Sequence, residues 1–424
     1  MLNAKVRNFA FFLLLVFLCF PSYSLGGNDK PIVIIISMDG VRHDAVKNTV
    51  LPGFERLMRE GTYARALLPV FPSSTFPNHV SLVTGTFADR HGIVGNQFYD
   101  RIQGEFSYEN DAFWIQAEPL WAACERQSVP SAIFFWVGSE GNWRGYRPTF
   151  RRSPFSSEVG EKEKVSQILS WLDRDPEERP RLIMSWWHGN DRAGHHSGPE
   201  SKESFDALAE QDRHLLQLLE GIDVRNLWSK LTLFIVSDHG MTLSNVMIDP
   251  LKILKKQSFK VKVSYGSSVA HAFVEDLKVR DKVVTLWNSL PHVTAYDKKD
   301  LPLHLRFRHP DRVGDVIALV EPPARFAPRK VVERGLATLG SLVGRMGGAH
   351  GYDPHKFPEM HGIWYAKGRG ISPGQVVPPA RVVDVAPSAA RLLDILPPRH
   401  SEGRRIAAFS GEADARIQDR EESR

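Results

Sequence analysis

Seven consecutive positions, Pro31-Ile-Val-Ile-Ile-Ile-Ser37, carry no charge, and five of them are β-branched. Such a run has no polar face to offer solvent. It is the mark of a strand buried on both sides in a parallel sheet. Ser131–Trp136, Leu182–Trp187 and Leu231–Ser237 have the same character. Helical patterns lie between and after them. From Ser201 to Leu219, Phe205, Leu208, Leu215, Leu216 and Leu219 form one broad apolar face behind a Ser-x-x-Ser start. Ala386–Leu396 is a second predicted helix, with Pro387 in its first turn. Buried strands alternating with helices imply an α/β fold, a mainly parallel β-sheet sandwiched by helices. A chain of 424 residues suffices for one large domain of this kind.

In such sheets reactive groups gather at the carboxyl ends of the strands. The first run ends at Asp39, the third is followed by Asp191 and His195, and the fourth runs into Asp238-His239. Only two cysteines are present, Cys19 and Cys124, so any bound metal must be held by His, Asp or Glu. Asp191-Arg-Ala-Gly-His195 offers a carboxylate and an imidazole four apart, expected on a loop with glycine for the turn. His350, within Gly347-Gly-Ala-His-Gly-Tyr-Asp353, adds an imidazole on an expected flexible loop, in competition with His355 and His361. His196 competes with His195 in the same way. Six such ligands plus a hydroxyl suit two metals of about four-coordination each. Two metals about 4 Å apart can stabilise the attacking and leaving oxygens of a displacement at phosphorus. Carboxylate and imidazole accept Zn2+ and tolerate Mn2+.

The hydroxyl is sought in Phe71-Pro-Ser-Ser-Thr-Phe-Pro-Asn-His79. Thr75 precedes Phe76-Pro77, a helix-start signal, and a helix N-terminus favours phosphate. Ser73 and Ser74 are its competitors. The formal charge of +5, from 54 basic and 49 acidic residues, is compatible with an anionic substrate. No basic run is interleaved with aromatics, which argues against dedicated nucleic-acid binding.

Taken in order, Ser37-Met-Asp-Gly40, Pro72–His79, Ser81-Leu-Val-Thr-Gly85, His91–Asn96, Asp191–His195 with Gly198-Pro199, Ser237–Met241 and His350–Asp353 resemble the nucleotide pyrophosphatase/phosphodiesterase family of the alkaline phosphatase superfamily. The resemblance implies an alkaline-phosphatase-like fold with an inserted substrate-side segment at 97–180. It implies a zinc-dependent hydrolase of phosphodiester and pyrophosphate bonds in nucleotides or their derivatives, releasing a nucleoside monophosphate. Thr75 would be the nucleophile and become phosphorylated. Asp39, Asp238, His239 and Thr75 would hold one zinc, and Asp191, His195 and His350 the other. Asn96 would donate to a phosphate oxygen, and Phe76 would pack beside the base. The family pattern is broken where Trp186 stands for Tyr, Asn190 for Pro and Pro354 for Asn. Phe150 and Phe155 stand where a stacking aromatic is sought. Trp186 and Phe155 are therefore read as substrate-side rings. The alternatives within the superfamily are a phospholipid phosphodiesterase of lysophospholipid or glycerophosphocholine type, a phosphonate hydrolase and a phosphomonoesterase.

Lys5 and Arg7 precede the apolar run Phe9–Phe20, with Ser22 and Ser24 after it. At 12 residues the run is short of the roughly 20 that span a bilayer. It reads as a signal peptide over 1–24 and a periplasmic or secreted enzyme. The catalytic domain is expected over 25–400, followed by a charged surface or disordered tail at 401–424.

Overall fold

The computed structural model describes residues 30–257, 260–328 and 347–408. The expected signal peptide and most of the expected tail lie outside them. Eight strands form the central sheet, in the order Gln375–Val377, Thr62–Ala64, Trp364–Gly368, Leu231–Val236, Ile32–Met38, Leu182–Trp187, Ser131–Phe134 and Phe150–Arg152. The last five are mutually parallel, and Trp364–Gly368 runs against its neighbours. Each of the four apolar runs is thus a strand of this sheet. The second ends early, at Phe134, because Phe135 takes φ 55° and leaves the extended conformation.

Alternation along the first strand explains its composition. Val33 and Ile35 point into one core, and Ile32, Ile34, Ile36 and Met38 into the other. Residues at i and i+2 share a sheet face, so both faces must be apolar. The helices Thr75–Thr84, Leu120–Arg126 and Val385–Leu392 cover the first face. Pro52–Glu60, Glu161–Leu172 and Lys202–Val224 cover the second. The last of these carries the predicted Ser201 cap, whose side chain accepts from Ser204 N. No described helix is long and apolar enough to cross a membrane.

The sequence expectations are corrected in three places. The stretch 97–180 is more than an insertion, since it supplies the sheet strands Ser131–Phe134 and Phe150–Arg152 as well as the hairpin Gln97–Asp100/Gly104–Ser107. Residues 401–408 are no free tail. Ile406 and Ala408 are buried beside the Val385–Leu392 helix, and Glu402 N–H bonds Gly85 O. A second, antiparallel sheet of four strands was not foreseen: Lys262–Tyr265, Val269–Phe273, Val316–Val320 and Val293–Asp297, with the Leu277–Asn288 helix packed on it. Its strands are short, and Lys262–Tyr265 carries a polar residue at every second position; the buried run Val316–Val320 is the signal that could have marked it.

The hairpin and the loop before Val316 are joined by a buried ion pair. Arg312 Nε donates to Asp100 Oδ2 at 2.7 Å, with both side chains 4% exposed. Its Nη1 donates to Gly92 O and Trp114 O. Asp100 also holds the hairpin turn by accepting from Ile102 N and Gln103 N. Removing one partner of a buried pair leaves the other charge uncompensated. Arg312→Met is therefore expected to lower the unfolding free energy by about 3–5 kcal/mol in urea titration. A loss under about 1 kcal/mol would mean that solvent already reaches the pair.

Candidate metal centre and nucleophile

Asp39 and Asp238 each stand one or two residues beyond neighbouring parallel strands. Ser37 is paired with Val236 on one side and Trp186 on the other. The register therefore brings both carboxylates to the same carboxyl edge. Asp39 N–H continues the ladder to Trp187 O. Gly40 then turns with φ +71°, and a Cβ there would lie 2.9 Å from Asp191 Cα. Glycine is what lets the third carboxylate approach.

Asp191 and His195 are on a helix, Gly189–Ser197, rather than the expected loop. Four-residue spacing puts them on one helical face. Gly194 serves contact, not turning: a Cβ there would meet Met241 Sδ at 2.6 Å, and one at Gly348 would meet Gly194 O at 2.7 Å. The helix thereby lies against the strand Gly347–Ala349 that delivers His350. That histidine is not on a flexible loop either. It is buried, with Nδ1–H donating to Ser73 O at 2.9 Å.

Thr75 opens the helix Thr75–Thr84. Asn78, fully buried, ties the preceding loop to it by accepting from Val70 N and donating to Pro72 O and Ser74 O. Ser73 turns its hydroxyl away to Tyr352 O. Thr75 Oγ1 lies 3.2 Å from His239 Nε2. It is thus Thr75, of the three hydroxyls, that reaches a predicted ligand. The first turn has fewer free amides than expected, because Pro77 has none and Phe76 N–H donates to Asn96 Oδ1 at 2.9 Å.

Four histidines share one arrangement. His195, His239, His350 and His79 each place Nδ1 at 2.9–3.0 Å from a backbone carbonyl: Gly348, Gly240, Ser73 and Thr75 respectively. A carbonyl only accepts, so Nδ1 carries the proton and Nε2 is a bare lone pair in the neutral ring. Yet His195 Nε2 and His350 Nε2 are 3.1 Å apart. His195 Nε2 is 3.4 Å and His350 Nε2 3.8 Å from Asp191 Oδ1. His239 Nε2 is 3.5 Å from Asp39 Oδ1 and 3.3 Å from Asp238 Oδ2. Asp39 Oδ1, Asp191 Oδ1, Asp238 Oδ2 and His79 Nε2 are buried without a hydrogen bond. Apart from the Thr75 hydroxyl at His239 and the His79 ring, whose Nδ1 lies 3.2 Å from Asp238 Oδ2, acceptors here face acceptors, which is the environment of a cation. Three overlapping groups have the spacing to hold one: Asp191, His195 and His350; Asp39, Asp191 and His239; Asp39, His79 and Asp238.

His79 was not foreseen as a member. Its four-residue spacing from Thr75 is the signal that puts it on the same helix face. His196, His355 and His361 belong to none of these groups.

The substrate-side residues divide. Because Asn96 Oδ1 must face the Phe76 amide, its NH2 is the outward end, able to donate as expected. Phe76 is buried, edge-on to Phe106 and to the exposed ring of Tyr108. Trp186, expected on the substrate side, is buried and turns its indole N–H to the candidate metal residues. Its Nε1–H donates to Asp39 Oδ2 at 2.8 Å, and Phe155 and His79 cover its ring. Phe155 is correspondingly stacked on Trp186 at 4.6 Å.

Burial, then the charges of Asp238 and Asp191, push Asp39 well above the usual carboxylate range. Burial, then Asp191, does the same to Asp238. Burial holds His239 down to about 3 and His350 well below its ordinary value.

The family model for type I phosphodiesterase / nucleotide pyrophosphatase matches residues 33–353. Human ectonucleotide pyrophosphatase/phosphodiesterase family member 5 is 28% identical over 381 residues, covering 88% of this chain and 76% of that protein. A human bis(5'-adenosyl)-triphosphatase is 28% identical over 376 residues, covering 87% and 79%. The solved structure of murine ectonucleotide pyrophosphatase/phosphodiesterase 5 is similar with a TM-score of 0.78 at 26% identity, covering 92% of this chain and 99% of that one. An inactive variant of the murine protein in complex with AMP is similar with a TM-score of 0.78 at 25% identity.

The electrostatics set the sign of a pH effect. A divalent cation needs Asp39 and Asp238 ionised, and both are raised toward the protonated form. His239, held near 3, is already neutral and has no proton to give. Zinc binding to the cation-free protein is therefore expected to release protons from the carboxylates, with apparent affinity falling as pH falls. Calorimetry in buffers of different ionisation enthalpy measures this, and proton uptake would contradict it.

Proposed function

Since this chain belongs to the type I phosphodiesterase / nucleotide pyrophosphatase family, we propose that it is a zinc-dependent enzyme acting on nucleotide diesters and pyrophosphates through a phosphorylated Thr75. The coarser statement, a hydrolase of phosphodiester or pyrophosphate bonds, follows from the family itself. The single observation that carries the finer one is Thr75 Oγ1, at a helix start, 3.2 Å from His239 Nε2 beside the cluster of unpartnered carboxylate oxygens.

Asp39, Asp238 and His239 with Thr75 would hold one zinc, and Asp191, His195 and His350 the other. When bound, the pair supplies Lewis-acid stabilisation of the attacking and leaving oxygens. The protein's own groups do the rest. Asn78 and the Pro72–Ser74 loop fix the direction of Oγ1. Oγ1 loses its proton and bonds to phosphorus, the bond to the leaving oxygen breaks, and that oxygen departs to be protonated. Asn96 Nδ2 donates to a non-bridging oxygen throughout. Water then attacks phosphorus, the phosphorus–Thr75 bond breaks, the hydroxyl is restored and a nucleoside monophosphate leaves. The exposed Tyr108 ring, backed by Phe76, would give a base its aromatic contact. Support for nucleotides comes from the AMP complex of the murine relative. The basic and apolar N-terminal segment supports an exported enzyme.

The test is paired kinetics on the purified protein, with the p-nitrophenyl ester of thymidine monophosphate against p-nitrophenyl phosphate, each with and without zinc. The expected result is a large kcat/KM preference for the diester, lost on chelation and restored by zinc. Thr75→Ala is expected to lower kcat roughly a thousandfold or more, as loss of a nucleophile does. Preference for the monoester would reassign the enzyme to a phosphatase. Retained turnover in Thr75→Ala would replace covalent catalysis by direct attack of water.

A further inference from the structure

We propose that Trp186 is a positioning residue for the cation site built on Asp39, and that Phe155 acts through it. This rests on the two-cation reading above. A buried carboxylate that gives one oxygen to a cation leaves the other in need of a donor. Asp39 is 2% exposed; its Oδ1 lies toward His239 without a hydrogen bond, while its Oδ2 accepts the Trp186 indole N–H. That donor carries no charge to compete with a cation and no lone pair. It holds Asp39 in one orientation at every pH.

The ring is itself immobilised. Phe155 stacks on it at 4.6 Å and 23°, and His79 meets it at 5.1 Å. Phe155 is wedged in turn against Phe135 and His188, and its N–H donates to Glu140 Oε1 at 2.8 Å. His79 is pinned to the nucleophile helix through Thr75 O. One indole thus joins the segment carrying Phe155, the helix carrying Thr75 and the carboxylate at the sheet edge. Loss of its N–H would free Asp39 to rotate and exchange its two oxygens. In the other site His195 is held by Gly348 O and His350 by Ser73 O, neither of them through the indole, so the defect falls chiefly on one cation.

The experiment is a competitive zinc titration of wild type and Trp186→Phe against a chromophoric chelator, followed by diester kinetics at saturating zinc. One dissociation constant is expected to rise about 10–100-fold, the loss typical of a ligand's orienting partner, while the other stays unchanged. KM for the diester at saturating zinc should not move, because the ring touches no substrate. Phe155→Leu, which keeps the N–H and removes the stack, should shift the same constant by less; it also serves should Trp186→Phe fail to fold. Two unchanged constants would overturn the proposal, as would two equally weakened ones, which would indicate general loosening. A raised KM with unchanged zinc affinity would restore Trp186 to substrate contact. A wild-type protein that binds no zinc would overturn this inference and the reading beneath it together, whatever the variants do.

Discussion

Three carboxylates and the imidazole lone pairs of His195, His239 and His350 meet at the carboxyl edge of the sheet with too few donors to satisfy them. Like charges in a buried space repel, which is why burial and mutual repulsion drive Asp39 and Asp238 toward their protonated forms. Much of the surrounding structure can be understood as holding that arrangement together. Parallel strands whose every side chain is buried cannot slip in register without exposing an apolar face. They therefore fix Asp39 and Asp238 at one level. The helices that cover the sheet bring the remaining groups to the same edge, and Gly40 and Gly194 remove the side chains that would keep them apart.

Orientation is a separate problem from position, and backbone carbonyls solve most of it. The imidazoles of His195, His239 and His350 are each turned by a carbonyl on the far nitrogen, and those carbonyls come from three different segments. The loop before Thr75 and the His350 loop are linked by this means, since Ser73 accepts from His350 and donates to Tyr352 O. Movement of Thr75 relative to His350 would break bonds at both ends. Reacting groups held this way need little reorganisation when charge develops, the condition under which electrostatic stabilisation is most effective.

The positions of the strand-end residues were legible in the sequence because burial on both faces leaves a compositional trace and the polar residue that ends it stands out. Asp39, Asp238 and His239 were found in that way. Orientation leaves no such trace. Nothing in the Leu182–Trp187 run distinguishes an indole donating to Asp39 from one facing substrate, since the partner lies 147 positions away. Gly194 misled for a related reason: a glycine required by a neighbouring strand looks the same in sequence as one required by a turn. The small antiparallel sheet was hard to see because its strands are only four or five residues long and two of them, Lys262–Tyr265 and Val293–Asp297, mix polar and apolar residues as loops often do. Asn78 and Arg312 went unnoticed because a buried polar residue is identified by its partners, not by its neighbours in sequence.

The site therefore has two halves that differ in how tightly they are specified. On the sheet edge every ligand is set by register, by a glycine contact or by a carbonyl. On the substrate side the walls come from a two-stranded hairpin and from the Phe155 segment. The hairpin is tied to the second sheet's loop by Arg312 and Asp100. Its Tyr108 ring stands exposed beside Phe76 at a left-handed backbone position, φ 53°. A bulky residue in that conformation persists only where its surroundings impose it. In the proposed reading, change in the hairpin would alter what is bound without disturbing the edge that carries the candidate ligands. The Trp186–Phe155 stack is the exception, because the ring that Phe155 covers also orients Asp39, so a substitution in the Phe155 segment would be felt at the candidate metal site as well.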